Sequence, residues 1–152
     1  MIGLPSLAGI EVISIAGLTC GVLDISCTLT LMKLQGTGPM RLLQAVASGI
    51  LGPKSFTGGR GTEALGLGIH FFIAFAVSAV YYFASRELSV LNEHAVLCGL
   101  LYGIAVHLFM TFVVLPLSSL KRPFSMKAFA TQFVVHMFFV GLPIALIVRH
   151  FA

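Results

Sequence analysis

The sequence predicts an all-α membrane protein. The expected architecture is an antiparallel bundle of four transmembrane helices, with an extra interfacial or re-entrant helix between the first and the second. Three observations predict it. Of the 152 residues, 58% are hydrophobic and only 9% are charged, whereas a soluble domain carries about 25% charged residues. The mean hydropathy is +1.04, which leaves too little polar surface to coat a soluble globule. The apolar residues also fall into four long runs, each close to the ~20 residues that a helix needs to cross ~30 Å of hydrocarbon. The whole chain, residues 1–152, reads as one integral membrane domain.

The four spans run over about 10–34, 62–85, 95–117 and 128–148. The first has no Lys or Arg before Lys33. It is also too long for the apolar core of a secretory signal, so it reads as a retained helix. Thr62 followed by Glu63 looks like the cap and acidic first turn of the second span, and Asn92 with Glu93 like those of the third. Pro116 closes the third span, and Pro143 should kink the fourth. The connection over 86–94 is short, so the second and third spans should form an antiparallel hairpin.

The first connection, "QGTGPMRLLQAVASGILGPKSFTGGRG", is longer. Residues 39–51 within it have helical spacing, with Pro39 near the first helical position and Arg41, Gln44 and Ser48 on one face. At 1.5 Å per residue this piece is only ~20 Å long, too short to span, so it should lie at the interface or re-enter the membrane. The Gly-rich "GPKSFTGGRG" after it lacks GK[ST] and follows no strand, so it is a turn and not a phosphate-binding loop.

Each span carries a seam of small and polar residues. Ser14, Gly17, Gly21, Asp24 and Thr28 share one face of the first, and Glu63, Gly66, His70, Ala74, Ser78, Tyr81 and Ser85 one face of the second. Gly99, Gly103, His107, Thr111 and Ser118 fall close together on the third, and Gln132, His136 and Pro143 on the fourth. Gly17-x-x-x-Gly21 and Gly99-x-x-x-Gly103 have the small-x-x-x-small form that lets membrane helices approach closely.

Four of these residues are costly in hydrocarbon. An ionised side chain at the centre of a membrane helix costs about 2.5–3.5 kcal/mol on insertion scales. Asp24, His70, His107 and His136 each lie about eight to ten residues in from the side of the first connection, a depth near ~12–15 Å. With helices alternating in direction, one carboxylate and three imidazoles share a layer. Three imidazoles and a carboxylate suit a transition metal, and two histidines at matched depth suit haem. The same residues could pass protons or ions across the core. A hydrogen-bonded network that only holds the helices in register uses them equally well. No HxxxH or HExxH spacing singles out one of these.

Other functions find little support. Net charge is +4, but the nine Lys and Arg stand singly or in short groups at the ends of apolar runs. They lack the aromatic interleaving of a nucleic-acid surface, so lipid is the expected partner and nucleic acid is not. Cys20, Cys27 and Cys98 form no CxxC and read as small hydrophobes. Tyr81, Tyr82 and Arg86 read as an interfacial anchor, His94 and His150 as solvated, and the thirteen Phe as lipid contacts. No nucleophile elbow or paired acid and base appears, so an enzyme is not expected. Lys33, Arg41, Lys54, Arg60, Lys121, Arg122 and Lys127 lie on the side of the first and third connections, against Arg86 and Arg149 on the other. That bias puts both termini outside the cytoplasm.

The segments "LLQAVASGILG", "HFFIAFAVSAVYYFASR", "VVLPLS" and "HMFFVGLPIAL" resemble an uncharacterised family of small bacterial inner-membrane proteins with about four transmembrane helices. The resemblance runs from about Gly21 to the C-terminus. It implies a multi-pass protein of the bacterial inner membrane and brings no activity, substrate or catalytic residue with it. A chain of this size reads as an accessory or structural membrane component, working as a homo-oligomer or within a larger complex. A metal- or haem-binding redox protein and a small channel or proton-coupled carrier are the alternatives.

Overall fold

The structure, a computed structural model, describes residues 7–36, 38–119 and 124–152. Among the described residues there is no strand. The helices are α1 (Leu7–Leu34), α2 (Pro39–Leu51), α3 (Gly59–Glu87), the single turn α4 (Val90–Glu93), α5 (Ala95–Leu117) and α6 (Met126–His150). Four of them, α1, α3, α5 and α6, are long and apolar enough to cross a membrane. Lys121 and Arg122 lie outside the described residues.

Helix α1 packs between α3 and α6, α5 packs against α6, and α2 lies on α3. One apolar core joins the first half of α1 (Val12, Ala16, Cys20), the second half of α3 (Ala74, Tyr81), the start of α5 (Ala95) and the second half of α6 (Ile144, Val148). Packed neighbours therefore run antiparallel, as the alternating spans predict. The α3–α5 hairpin is closed from within. Tyr102 donates to the Val77 carbonyl at 2.7 Å, and the Tyr81 and Tyr102 rings meet edge to face at 5.0 Å. Along the rest of their lengths, α3 and α5 are tied into the bundle by α1 and α6.

Small residues make the contacts that a packed core needs. A Cβ on Gly103 would run into the backbone carbonyl of His136, and one on Gly141 into the backbone of Gly99 and Gly103. The Gly99-x-x-x-Gly103 face of α5 therefore meets α6 backbone to backbone, the arrangement this motif serves. Gly66 of α3 similarly receives the Leu43 carbonyl of α2. Elsewhere the spans face outward with apolar side chains. Only 17% to 33% of each span's apolar window is buried, and Phe72, Leu97, Phe109, Phe112 and Leu117 are exposed. Such a belt has the build of a multi-pass membrane protein.

Several local expectations are corrected. Helix α3 begins at Gly59, not at Thr62; the Thr62 hydroxyl lies in the first turn and donates towards the Ser55 and Gly59 carbonyls at 2.7 and 2.9 Å. Asn92 does not cap the third span. It belongs to α4, with its amide donating to the Ser85 carbonyl at 3.3 Å, while α5 starts after His94. Ser125 caps α6, accepting from the Ala128 N–H at 3.4 Å. Tyr81 is no interfacial anchor: it is 1% exposed, and its hydroxyl donates to the Leu91 carbonyl at 3.0 Å.

The prolines act through widened turns. Helix α5 contains a π-turn at Met110–Val114, just before Pro116, and α6 one at His136–Gly141, just before Pro143. Proline brings no N–H and crowds the carbonyl four residues earlier. An inserted residue in the turn relieves both problems.

Candidate functional site

At the end of the bundle opposite the apolar core, the helices stand apart around a cavity of about 840 Å3. The first and third connections meet at this end. Helix α2 closes one side: Leu42 and Val46 face the cavity, and the Gly49 carbonyl accepts from the Ser119 N–H at 2.8 Å, just beyond α5. The amphipathic pattern of residues 39–51 is thus used within the protein. Gln44, Ala45, Ala47 and Ser48 are buried, while Met40 and Ile50 face out.

Asp24, His70, His107 and His136 all line this cavity. They form two pairs and not one cluster. Asp24 and His70 sit on α1 and α3, with His70 Nδ1 3.9 Å from Asp24 Oδ2. His107 and His136 sit on α5 and α6, with ring centroids 5.1 Å apart. Among the described residues, no group of three or more His, Cys, Asp or Glu is placed to hold a metal ion.

The first pair has a defined proton arrangement. His70 Nε2 lies 2.9 Å from the Gly21 carbonyl, and a carbonyl only accepts, so Nε2 carries a hydrogen. Nδ1 is left facing the carboxyl group. At 3.9 Å the two groups face each other beyond direct hydrogen-bond distance. Asp24 Oδ1 is buried without a hydrogen-bond partner.

The second pair is built into the widened turns. His136 opens the π-turn of α6 and points Nδ1 at the Gln132 carbonyl, 2.9 Å away. By the same reasoning Nδ1 donates, so in the neutral ring Nε2 is an acceptor. His107 lies three residues before the π-turn of α5, is 4% exposed, and its Nε2 has no partner. Its ring packs against Phe129 at 4.8 Å and Phe133 at 6.0 Å. Gln132 reaches across to α1, its amide donating to the Thr28 hydroxyl at 3.4 Å.

Sequence reasoning did not find the aromatic part of the wall. Phe124 and Phe129 line the cavity and contact each other at 5.7 Å, although all thirteen Phe read as lipid contacts. The available signal was the i, i+4 spacing of Phe129 and Phe133 on the face that carries Gln132 and His136. The three cysteines are free, with Cys20 buried beside Ser78 at 3.8 Å, and none lines the cavity. His94 and His150 are exposed.

Comparison of the chain with protein-family models, with curated proteins and with solved structures finds no match.

Proposed function

We propose that this protein is a non-enzymatic, multi-pass membrane component that holds a small, mainly apolar molecule in the chamber at the splayed end of its bundle. The single observation that carries the reading is His107. The residue is only 4% exposed, yet its Nε2 is unpartnered on the wall of a cavity of about 840 Å3. A buried polar atom left unpaired costs about 1–3 kcal/mol. A cavity that is largely apolar with a few convergent polar groups, in the ~300–1,000 Å3 range, is the common form of a ligand site.

Further support comes from where the chamber lies. Lys33, Arg41, Lys54, Arg60 and Lys127 belong to segments at its end of the bundle. By the positive-inside rule the chamber then opens towards the cytoplasm, with both termini on the other side. Together with the family resemblance, this favours the bacterial inner membrane. Work as a homo-oligomer or inside a larger membrane complex is part of the same proposal, because one small bundle exposes most of its apolar surface.

The test is to fill the chamber. Ala128 is an exposed rim residue of the cavity, so Ala128→Trp should occupy the space without disturbing the packed half. Small molecules extracted from detergent-purified protein are then quantified by mass spectrometry. A near-stoichiometric apolar compound in the wild type that is lost in Ala128→Trp is the expected outcome. Equal, non-stoichiometric lipid in both rejects the chamber as a binding site.

A second reading, proton transfer, is favoured by the Asp24 carboxyl group and the His70 ring facing each other across 3.9 Å on the cavity wall. It expects proton flux in liposomes that falls in Asp24→Asn. Flux equal to that of empty liposomes removes it.

A further inference from the structure

The polar groups of the chamber are arranged on two walls, and their chemistry restricts what can fill it. Among the described residues, no Lys or Arg lines the cavity. A phosphate or carboxylate headgroup would enter a largely apolar space beside Asp24 without a cation among those residues to pair with, at a high desolvation cost. A neutral ligand avoids that cost.

Hydrogen-bonding groups face the space from both sides. One wall, on α1 and α3, presents Asp24 and His70, 3.9 Å apart; the other, on α5 and α6, presents His107 and His136. A single-headed neutral lipid would satisfy one wall and leave the other against hydrocarbon. Unpaired buried groups of that kind are what polar sites reject most strongly. A molecule with oxygen at two opposite ends serves both walls.

Imidazole suits either form of such an oxygen. A carbonyl needs a donor, while a hydroxyl also gives its proton to an acceptor, and a neutral imidazole nitrogen is one or the other according to tautomer. His107 Nε2 has no hydrogen-bond partner. Phe129, tilted at 50° to the His107 ring with centroids 4.8 Å apart, adds an aromatic wall for a flat ring, and Ile25, Leu42, Val46 and Leu115 supply apolar surface for a tail. We propose that the chamber binds a neutral ring carrying oxygen at opposite ends and an apolar tail, the quinone or quinol class. The proposal concerns binding and rests on the chamber reading above.

The experiment uses the full chain purified in detergent. Three probes are titrated by equilibrium dialysis: a benzoquinone with one isoprenoid unit, hexadecanol (neutral, one polar end) and palmitate (anionic, one polar end). The quinone should bind at least about tenfold more tightly than either, the worth of one further hydrogen bond. His70→Phe and His107→Phe, on opposite walls, should each weaken quinone by about tenfold, and only one of them should affect hexadecanol. Should those variants fail to fold, the ranking of the three probes on the wild type decides. Hexadecanol matching the quinone overturns the two-ended class. Palmitate binding tightest overturns neutrality. In both of those cases, loss of the winning probe in Ala128→Trp leaves the chamber standing. Saturable binding of none of the three overturns the inference and the chamber reading together.

Discussion

The two halves of this bundle are built from the same helices and behave as different materials. In one half, Val12, Ala16, Cys20, Ala74, Ile144, Ala145 and Val148 close into a core with backbone contacts at Gly99, Gly103 and Gly141. In the other, the same α1, α3, α5 and α6 stand around a cavity of about 840 Å3. The difference lies in what each helix offers inward. Small residues let the first half close. In the second, imidazoles, Gln132 and the Phe129 and Phe133 rings occupy the inward face, and two π-turns shift the register of α5 and α6 just where the histidines sit. Stability should therefore be concentrated in the closed half and specificity in the open one.

The sharpest way to break this comparison is Gly103→Leu. The atom its side chain meets is the His136 backbone carbonyl, which cannot swing aside. Overpacking against backbone should cost about 3 kcal/mol or more, read from an SDS unfolding titration of the detergent-solubilised protein. Wild-type stability in that variant would mean that α5 and α6 do not meet here.

The next test sets one half against the other with matched truncations. Ile144 is 0% exposed in the closed core, whereas Leu115 is 41% exposed on the cavity wall. Ile144→Ala should cost about 2 kcal/mol, the low end for a buried aliphatic because lipid solvates the unfolded helix as well. Leu115→Ala should stay within about 0.5 kcal/mol. Equal losses in the same titration would erase the distinction between the halves.

The smallest effect is expected at Asp24. Asp24→Asn keeps the shape of the side chain, and the native contact to His70 Nδ1, at 3.9 Å, is longer than a hydrogen bond. The cost should be about 0.6 kcal/mol or less, the usual worth of a side-chain hydrogen bond between membrane helices. Nitrogen NMR of the His70 ring adds a direct reading: Nε2 should be protonated in both proteins, because the Gly21 carbonyl demands it. Protonation only at Nδ1 would contradict the geometry.

The sequence by itself determined the class of protein and the number of spans. Length and hydropathy alone select four helices that can cross a membrane, and Gly99-x-x-x-Gly103 marks a face of close approach, because these properties belong to one helix at a time. It also singled out Asp24, His70, His107 and His136, since each is costly in hydrocarbon wherever it points. Tertiary structure decided how they are grouped. Depth along an axis is additive, at 1.5 Å per residue, but rotation about that axis and the gap between helices depend on every contact the helix makes. So depth alone suggested a common layer, whereas the Asp24–His70 pair and the His107–His136 pair around one cavity could not be read from it. The ends of elements escaped for a related reason. Thr62 and Asn92 have the chemistry of caps, but the carbonyls of Ser55 and Ser85, brought close by folding, took their hydrogen bonds instead. The chamber is the extreme case: it belongs to no single segment, and it exists because α2 folds back on Gly66 while the two proline-bearing helices widen beside it.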